Sequence, residues 1–358
     1  MPLELNQPVV KIVNPNLNAN NSVDWTLEIP ENVNLGAVLL QLSVTRTATG
    51  AATKSVPKME DAASLATFLV NGSPQRTRKL QELFGAQGLN ALDEKSLAGT
   101  VQYFQAGAAV TAAVNGIVYG ALPVLIGSTA DVAIQAALAN NTATTAVFGL
   151  PFLFAEDFRK SYIAAAKMAL PTAFGSNGKV VGNIGGVILK LTMNTVTGVA
   201  GTFSAATIAA NVEYDKTLAV PGSVVRLSKE KRLPKQYAGA GDIEVADGIN
   251  NVQGEMLQSV SLATEADAIT KVVVKQGETI IRTMTWEDNL VSLRKAGINV
   301  DAIPRNRFDI IFDRNDDPTT GLPMDPNNTL SILATLATAN DASKTITVLP
   351  KIYGPIAA

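Results

Sequence analysis

The 358-residue chain contains no cysteine and no histidine. Without cysteine there is no disulfide framework and no thiolate metal site. Without histidine the commonest general base, the usual activator of a serine nucleophile and the commonest zinc ligand are all missing. A hydrolase on this chain would have only carboxylates, Lys, Tyr and Ser to work with. No catalytic, cofactor-binding or metal-ligating residue is therefore assigned, and no cofactor and no enzymatic activity are expected. Charged residues make up 17% of the chain and the formal net charge is −2, which gives no overall attraction for nucleic acid. No sequence-specific nucleic-acid partner is expected. Aromatics are scarce at 5%.

No secretory leader is expected, because "MPLELNQPVVKIVNPN" (Met1 to Asn16) has neither a basic start nor a continuous apolar run. There is no Leu-rich membrane span. The uncharged stretch Ala106 to Gly127 is built mainly of Ala, Gly and Val, with Asn115 and Pro123 inside it. Its transfer free energy is weak, so burial in a core or a subunit interface is expected instead.

What is present is core material, at 47% hydrophobic residues, and turn material, at 27 Gly and 17 Pro. Short β-rich runs dominate: "SVDWTLEIP" (Ser22 to Pro30), "GAVLLQLSVTRT" (Gly36 to Thr47), "GGVILKLTMN" (Gly185 to Asn194) and "TIAANVEYD" (Thr207 to Asp215). "GEMLQSVSLAT" (Gly254 to Thr264), "RFDIIFD" (Arg307 to Asp313), "NTLSILATLAT" (Asn328 to Thr338) and "KTITVLPKIYG" (Lys344 to Gly354) complete the series. Clusters of Gly, Pro, Asn and Asp separate them, as in antiparallel all-β proteins. Three helices are expected. "SPQRTRKLQELFGAQG" (Ser73 to Gly88) spaces Leu80, Leu83 and Phe84 helically, and "EDFRKSYIAAAKMAL" (Glu156 to Leu170) stops before Pro171. "TWEDNLVSLRKAG" (Thr285 to Gly297) has Thr285 as N-cap, Asp288 three residues on and Arg294 and Lys295 in its last turn.

The elements come twice in one order. "FLVNGSPQRTRKLQEL" (Phe68 to Leu83) is echoed by "VVVKQGETIIRTMTWEDNL" (Val272 to Leu290): strand, Gly-containing turn, strand, helix-like segment. A long strand precedes each copy, an aromatic strand follows it, and a pair of strands closes each half. A period of this size indicates two like domains rather than a solenoid. About eight strands per half suit a jelly roll.

At this point the chain resembles the double jelly-roll major capsid proteins of tailless icosahedral viruses with an internal membrane, the corticovirus protein above all and the tectivirus and adenovirus proteins more distantly. The resemblance is carried by "NLNANNSVDWTLEIP", "FLFAEDFRKSYIAAAKMAL…GGVILKLTMN", "AITKVVVKQGETIIRTMTWEDNL", "FDIIFD" and "TLSILATLATANDASKTITVLPKIYG". It implies an all-β fold of two tandem eight-stranded antiparallel jelly rolls with short helices in loops, residues 1–216 and 217–358. The first roll would carry an insertion at about 105–145. The resemblance further implies a bacteriophage virion protein, made in the host cytoplasm, whose homotrimers tile an icosahedral shell over an internal membrane. Its partners would be neighbouring capsomers, penton and other capsid proteins, and the viral membrane or its proteins.

Four stretches invite chemical readings. From Ser96 to Ala155 the one charged residue is Asp131, which suits a core or an intersubunit contact. Lys216, Arg226, Lys229, Lys231, Arg232 and Lys235 make a basic connector, read as a solvated linker or a contact for anionic lipid or acidic neighbours. Asp313, Asn315, Asp316, Asp317 and Asp325 crowd one loop, but Pro318 replaces the EF-hand glycine and the closing Glu is missing. That loop reads as Asx-capped turns rather than a calcium site. "GSNGKVVGNIGG" and "AGAGDIEVADG" match no phosphate cradle and read as loops. The alternative function is a two-domain carbohydrate-binding or adhesin-like β-sandwich. It needs displayed aromatics, yet Trp25 and Trp286 sit in apparent structural segments.

Overall fold

Alternation with a period of two marks the clearest of these segments as strands, and in them burial follows it residue by residue. In β2 (Asn34–Thr47), Val38, Leu40, Leu42 and Val44 are buried and the residues between them are not. The structure is a computed structural model that describes residues 25–28, 34–48, 53–70, 72–80, 99–153, 170–171, 187–193, 202–215, 226–237, 241–249, 254–264, 267–296, 300, 303, 305–312, 320–337 and 344–355. The described residues fall into two units, 25–215 and 226–355.

The first unit runs β1 (Trp25–Glu28), β2, α1 (Met59–Ala62), β3 (Ala63–Val70), β4 (Ser73–Lys79), β5 (Thr100–Gln105), β6 (Ala108–Ala109), β7 (Ala112–Val114), β8 (Ile117–Tyr119) and β9 (Val124–Leu125). It continues with α2 (Thr129–Ala137), β10 (Thr144–Leu153), β11 (Leu170–Pro171), β12 (Val187–Met193) and β13 (Thr202–Asp215). The second unit runs β14 (Arg226–Glu230), β15 (Leu233–Tyr237), β16 (Gly241–Ile249), β17 (Met256–Thr264), β18 (Ile269–Gln276), β19 (Thr279–Thr285), α3 (Trp286–Lys295), β20 (Arg307–Ile311), β21 (Leu322–Pro323), β22 (Leu330–Leu336) and β23 (Lys344–Pro355).

Sheet order makes the duplication explicit. One four-stranded sheet is ordered β1-β12-β3-β4 and the other β16-β22-β18-β19. In each, a hairpin packs beside a late strand, which pairs with an early one. The second sheets correspond as well. β13 pairs with β2 and β2 with β10 in the first unit, while β23 pairs with β17 and β17 with β20 in the second. β14 and β15 lie end to end along β23, at Arg226↔Pro355 to Glu230↔Lys351 and Leu233↔Val348 to Tyr237↔Lys344. Together they fill one strand position. Both units are antiparallel jelly rolls, so the expected all-β fold of two tandem rolls is what forms.

In the second roll one core unites the inner faces of both sheets. Leu257, Val260, Leu262, Phe308, Ile346 and Val348 come from one, and Val272, Val274, Leu330, Ile332 and Ala334 from the other. On β20 the alternation turns Arg307 and Asp309 away from that core, yet both are buried, paired at 2.5 Å. Helix α3 lies against this strand, and the side-chain amide of its buried Asn289 pairs with the backbone N–H and C=O of Asp309. α3 begins as expected. Thr285 Oγ1 accepts from Asp288 N at 3.2 Å and the Asp288 carboxylate accepts from Thr285 N at 3.1 Å.

Three expectations change. Ser73–Lys79 is strand β4, not the start of a helix, because β3 pairs with it through a turn where Gly72 takes φ +75°. β4 is the outer strand of its sheet, the position at which a proline such as Pro74 is tolerated. "AGAGDIEVADG" contains strand β16 rather than a loop, and two register shifts against β22 absorb its irregular residues. The basic stretch is no linker from Arg226 onward, since β14 and β15 take it into a sheet, while 216 lies outside the described residues. For the segment 156–170, Leu170 is in strand β11 and the rest lies outside the described residues.

Candidate functional site

β5 and β10 are sheet neighbours, with Gln105 opposite Thr144 and Thr100 opposite Gly149. Between those facing residues the chain makes an insertion, residues 106–143. β6 folds back on β5, β9 also pairs with β5, and β7–β8 form a hairpin. That hairpin closes at Asn115 (φ +51°) and Gly116 (φ +80°), the two left-handed positions that a two-residue primed turn requires. Gly120, at φ +108°, sits where a Cβ would lie 2.0 Å from Val110 O. Only glycine fits there.

One buried polar cluster fastens the insertion. Asp131, the single charge between Ser96 and Ala155, is on α2 and 2% exposed. Its Oδ1 accepts from Tyr103 Oη at 3.0 Å and Gln135 Nε2 at 2.9 Å, and its Oδ2 accepts from Gly127 N at 2.8 Å. Burial, together with the adjacent carboxylate, pushes the Tyr103 hydroxyl pKa up, so the phenol remains a proton donor. Ser128 caps α2 by accepting from Asp131 N at 3.2 Å. Ile134 and Leu138 bury the apolar side of this segment. Lys54 Nζ donates to the carbonyl of Ala136, and Ser55 Oγ donates to that of Thr142 and meets Thr144 Oγ1 at 2.7 Å. A sequence reading could not supply those partners, which lie some eighty residues away.

The outer side of the insertion is apolar. Ile117 (57% exposed), Val118 (66%), Leu122 (76%), Leu125 (54%) and Val132 (60%) are five of the seven strongly exposed large hydrophobics among the described residues. The low-charge segment is thus split. β5 and β10 bury Val101, Tyr103, Ala146, Phe148 and Leu150, whereas residues 117–132 present bare aliphatic side chains. Val114, on β7, is half-buried. The uncharged stretch from Ala106 to Gly127 contains strands β6 to β9 rather than a helix, and no helix among the described residues is long and apolar enough to cross a membrane.

The other candidate stretches resolve locally. Lys229 pairs with Glu255 at 3.0 Å and Arg232 donates to Thr347 Oγ1 at 3.3 Å. Asp325 accepts from the Asn327 N–H at 2.9 Å and from the Asn328 side-chain amide at 2.7 Å, which holds its carboxyl below the usual range. This is the Asx-capped turn. Residues 313–319 and 175–186 lie outside the described residues, and no cluster of metal-ligating side chains occurs among the described ones. Trp286 is half-buried against the second core, with the Arg305 guanidinium 4.8 Å above its ring.

No family model matches the chain, and no curated protein matches it. Solved structures do. The chain is similar to the major capsid protein P2 from bacteriophage PM2, at TM-score 0.55 and 13% identity over 98% of each chain. It is similar to the major capsid protein of STIV, the Sulfolobus turreted icosahedral virus, at TM-score 0.58 and 13% identity over 97% of each chain. It is also similar to the PBCV-1 virus capsid protein, at TM-score 0.52 and 9% identity over 98% of this chain and 97% of that one. The shared feature is the double jelly-roll fold.

Proposed function

We propose that this chain is a viral major capsid protein. Homotrimers of it form pseudo-hexagonal capsomers that tile an icosahedral shell over an internal membrane. Residues 1–216 make the first roll and 217–358 the second, so three copies supply six rolls to each capsomer. Neighbouring capsomers and penton proteins are its partners, the virion is its location, and its role is assembly rather than catalysis.

The observation that carries this reading is the paired topology. Two rolls with matching sheet order occupy one chain, and the likeness to three viral capsid proteins spans almost the whole of it. The exposed aliphatic insertion supports it, because a protein living as a monomer seldom leaves so much apolar side chain bare. An adhesin-like or glycan-binding role finds no comparable support, since Trp286 is stacked under Arg305 rather than displayed.

Size-exclusion chromatography with light scattering, followed by electron microscopy of the concentrated protein, tests the proposal. A trimer that survives dilution and packs into hexagonal arrays is expected. A stable monomer that binds glycans overturns it.

A further inference from the structure

The sequence has three Asn–Gly pairs, at 71–72, 115–116 and 177–178, and the last lies outside the described residues. Asparagine is thermally labile, and a following glycine makes it more so. The backbone nitrogen of the second residue can attack the side-chain carbonyl carbon of the first, and glycine has no Cβ to shield that nitrogen. In a folded protein the rate then depends on how readily the turn lets the two atoms meet.

Asn115 and Gly116 meet these conditions. Both are exposed at the tip of the β7–β8 hairpin. Among the described residues neither the Asn115 side-chain amide nor the Gly116 N–H has a hydrogen-bond partner. A Cβ built on Gly116 would find nothing within 4 Å, so the space around the reacting atoms is open. β7 and β8 make a two-stranded sheet of their own, three residue pairs long. An isolated hairpin of that size is marginal in water, so its turn relaxes while the roll stays intact. The pair at 71–72 is placed differently. It joins β3 to β4 within a four-stranded sheet, and that ladder must fray before its turn opens.

We infer that Asn115 is a site of spontaneous deamidation in the folded protein, reacting ahead of the pair at 71–72. The Gly116 nitrogen forms a bond to Asn115 Cγ and gives up its proton to solvent base. The Cγ–Nδ2 bond breaks, and that nitrogen takes a proton from water and leaves as ammonia. Water then opens the five-membered imide at either carbonyl, leaving an aspartyl or isoaspartyl residue at 115. No oxidant, cofactor or enzyme takes part. Each event adds a negative charge to the surface of a span, 106–143, whose one charged side chain, Asp131, is buried. The isoaspartyl product also lengthens the backbone inside a two-residue turn, where loop length sets the hairpin. The insertion thus carries a slow chemical clock, and copies of different age differ in surface charge.

To test it, the purified full-length protein is held at mildly alkaline pH, in buffer and in urea, and sampled over time. Peptide mapping by mass spectrometry, with isoaspartyl methyltransferase labelling, reads each pair. In urea 71 and 115 should convert alike. In buffer 71 should fall at least about tenfold behind 115, because its turn opens less often. Asn115→Gln should remove the main acidic species that accumulates on ion exchange, and Asn115→Asp should run with that species from the start. Folding that slows 115 as much as 71, relative to urea, overturns the inference. Acidic species that form at the wild-type rate in Asn115→Gln overturn it as well.

Discussion

Tyr103 Oη donates to Asp131 Oδ1 across 3.0 Å, joining strand β5 of the first roll to helix α2 of its insertion. The bond is buried on both sides, and it turns the single charged side chain of the segment into an internal anchor. The insertion's solvent face is uncharged because of it.

Removing that donor should loosen the insertion. Tyr103→Phe leaves the buried carboxylate with one partner fewer, at a cost of about 1–3 kcal/mol. Calorimetry should show a lower Tm, and an unchanged Tm would mean that the anchor contributes nothing.

The same bond predicts an alkaline effect. The folded pKa of Tyr103 lies above its unfolded value of 10.0, so its stabilisation is complete below that pH. It is lost as pH rises beyond, when the unfolded state alone releases the proton. The stability difference between wild type and Tyr103→Phe, measured by denaturant titration, should shrink above pH 10. A constant difference up to pH 11 would contradict the assignment.

Arg307 and Asp309 form a buried pair on the covered face of β20. Asp309→Ala should destabilise by about 3–5 kcal/mol because it strands a buried guanidinium. The double replacement Arg307→Met with Asp309→Leu should cost less than the single change. Urea unfolding of the three proteins decides it, and strictly additive losses would refute the pairing.

Gly120→Ala tests the close approach inside the insertion. Its Cβ would meet the Val110 carbonyl at 2.0 Å from a left-handed backbone. Hydrogen exchange should rise between 106 and 143 while the rolls stay protected, and even exchange throughout would show that the insertion does not fold as a unit.

At the start of α3, donation from the Thr285 hydroxyl and backbone N–H keeps the Asp288 carboxyl below its ordinary range. That contribution is present above the unfolded value of 3.8 and fades as pH falls below it. Thr285→Ala should therefore lower Tm at pH 7 more than at pH 3. An equal loss at both would dissociate the cap from the carboxylate.

Much of this fold was readable because alternation and capping are local. β2, β12 and β22 show their buried faces in their own sequences, and the box at Thr285 and Asp288 needs only four consecutive residues. β4 and β14 were not readable, because polar strands such as Ser73–Lys79 and Arg226–Glu230 acquire their conformation from partners elsewhere. The insertion was half readable. Its lack of charge is a sequence property, but the split between buried β5 and the bare 117–132 face depends on contacts made by Lys54, Ser55 and Tyr103.

Because Gln105 and Thr144 face each other across a sheet, the two ends of the insertion are only about 5 Å apart. A loop of any length whose ends meet at that spacing can be spliced in without disturbing the ladder beneath, and lengthening it adds little closure entropy. The roll can therefore remain constant while the segment it carries is exchanged. Side chains exposed on it can then change while the ladder of β5 and β10 beneath is kept.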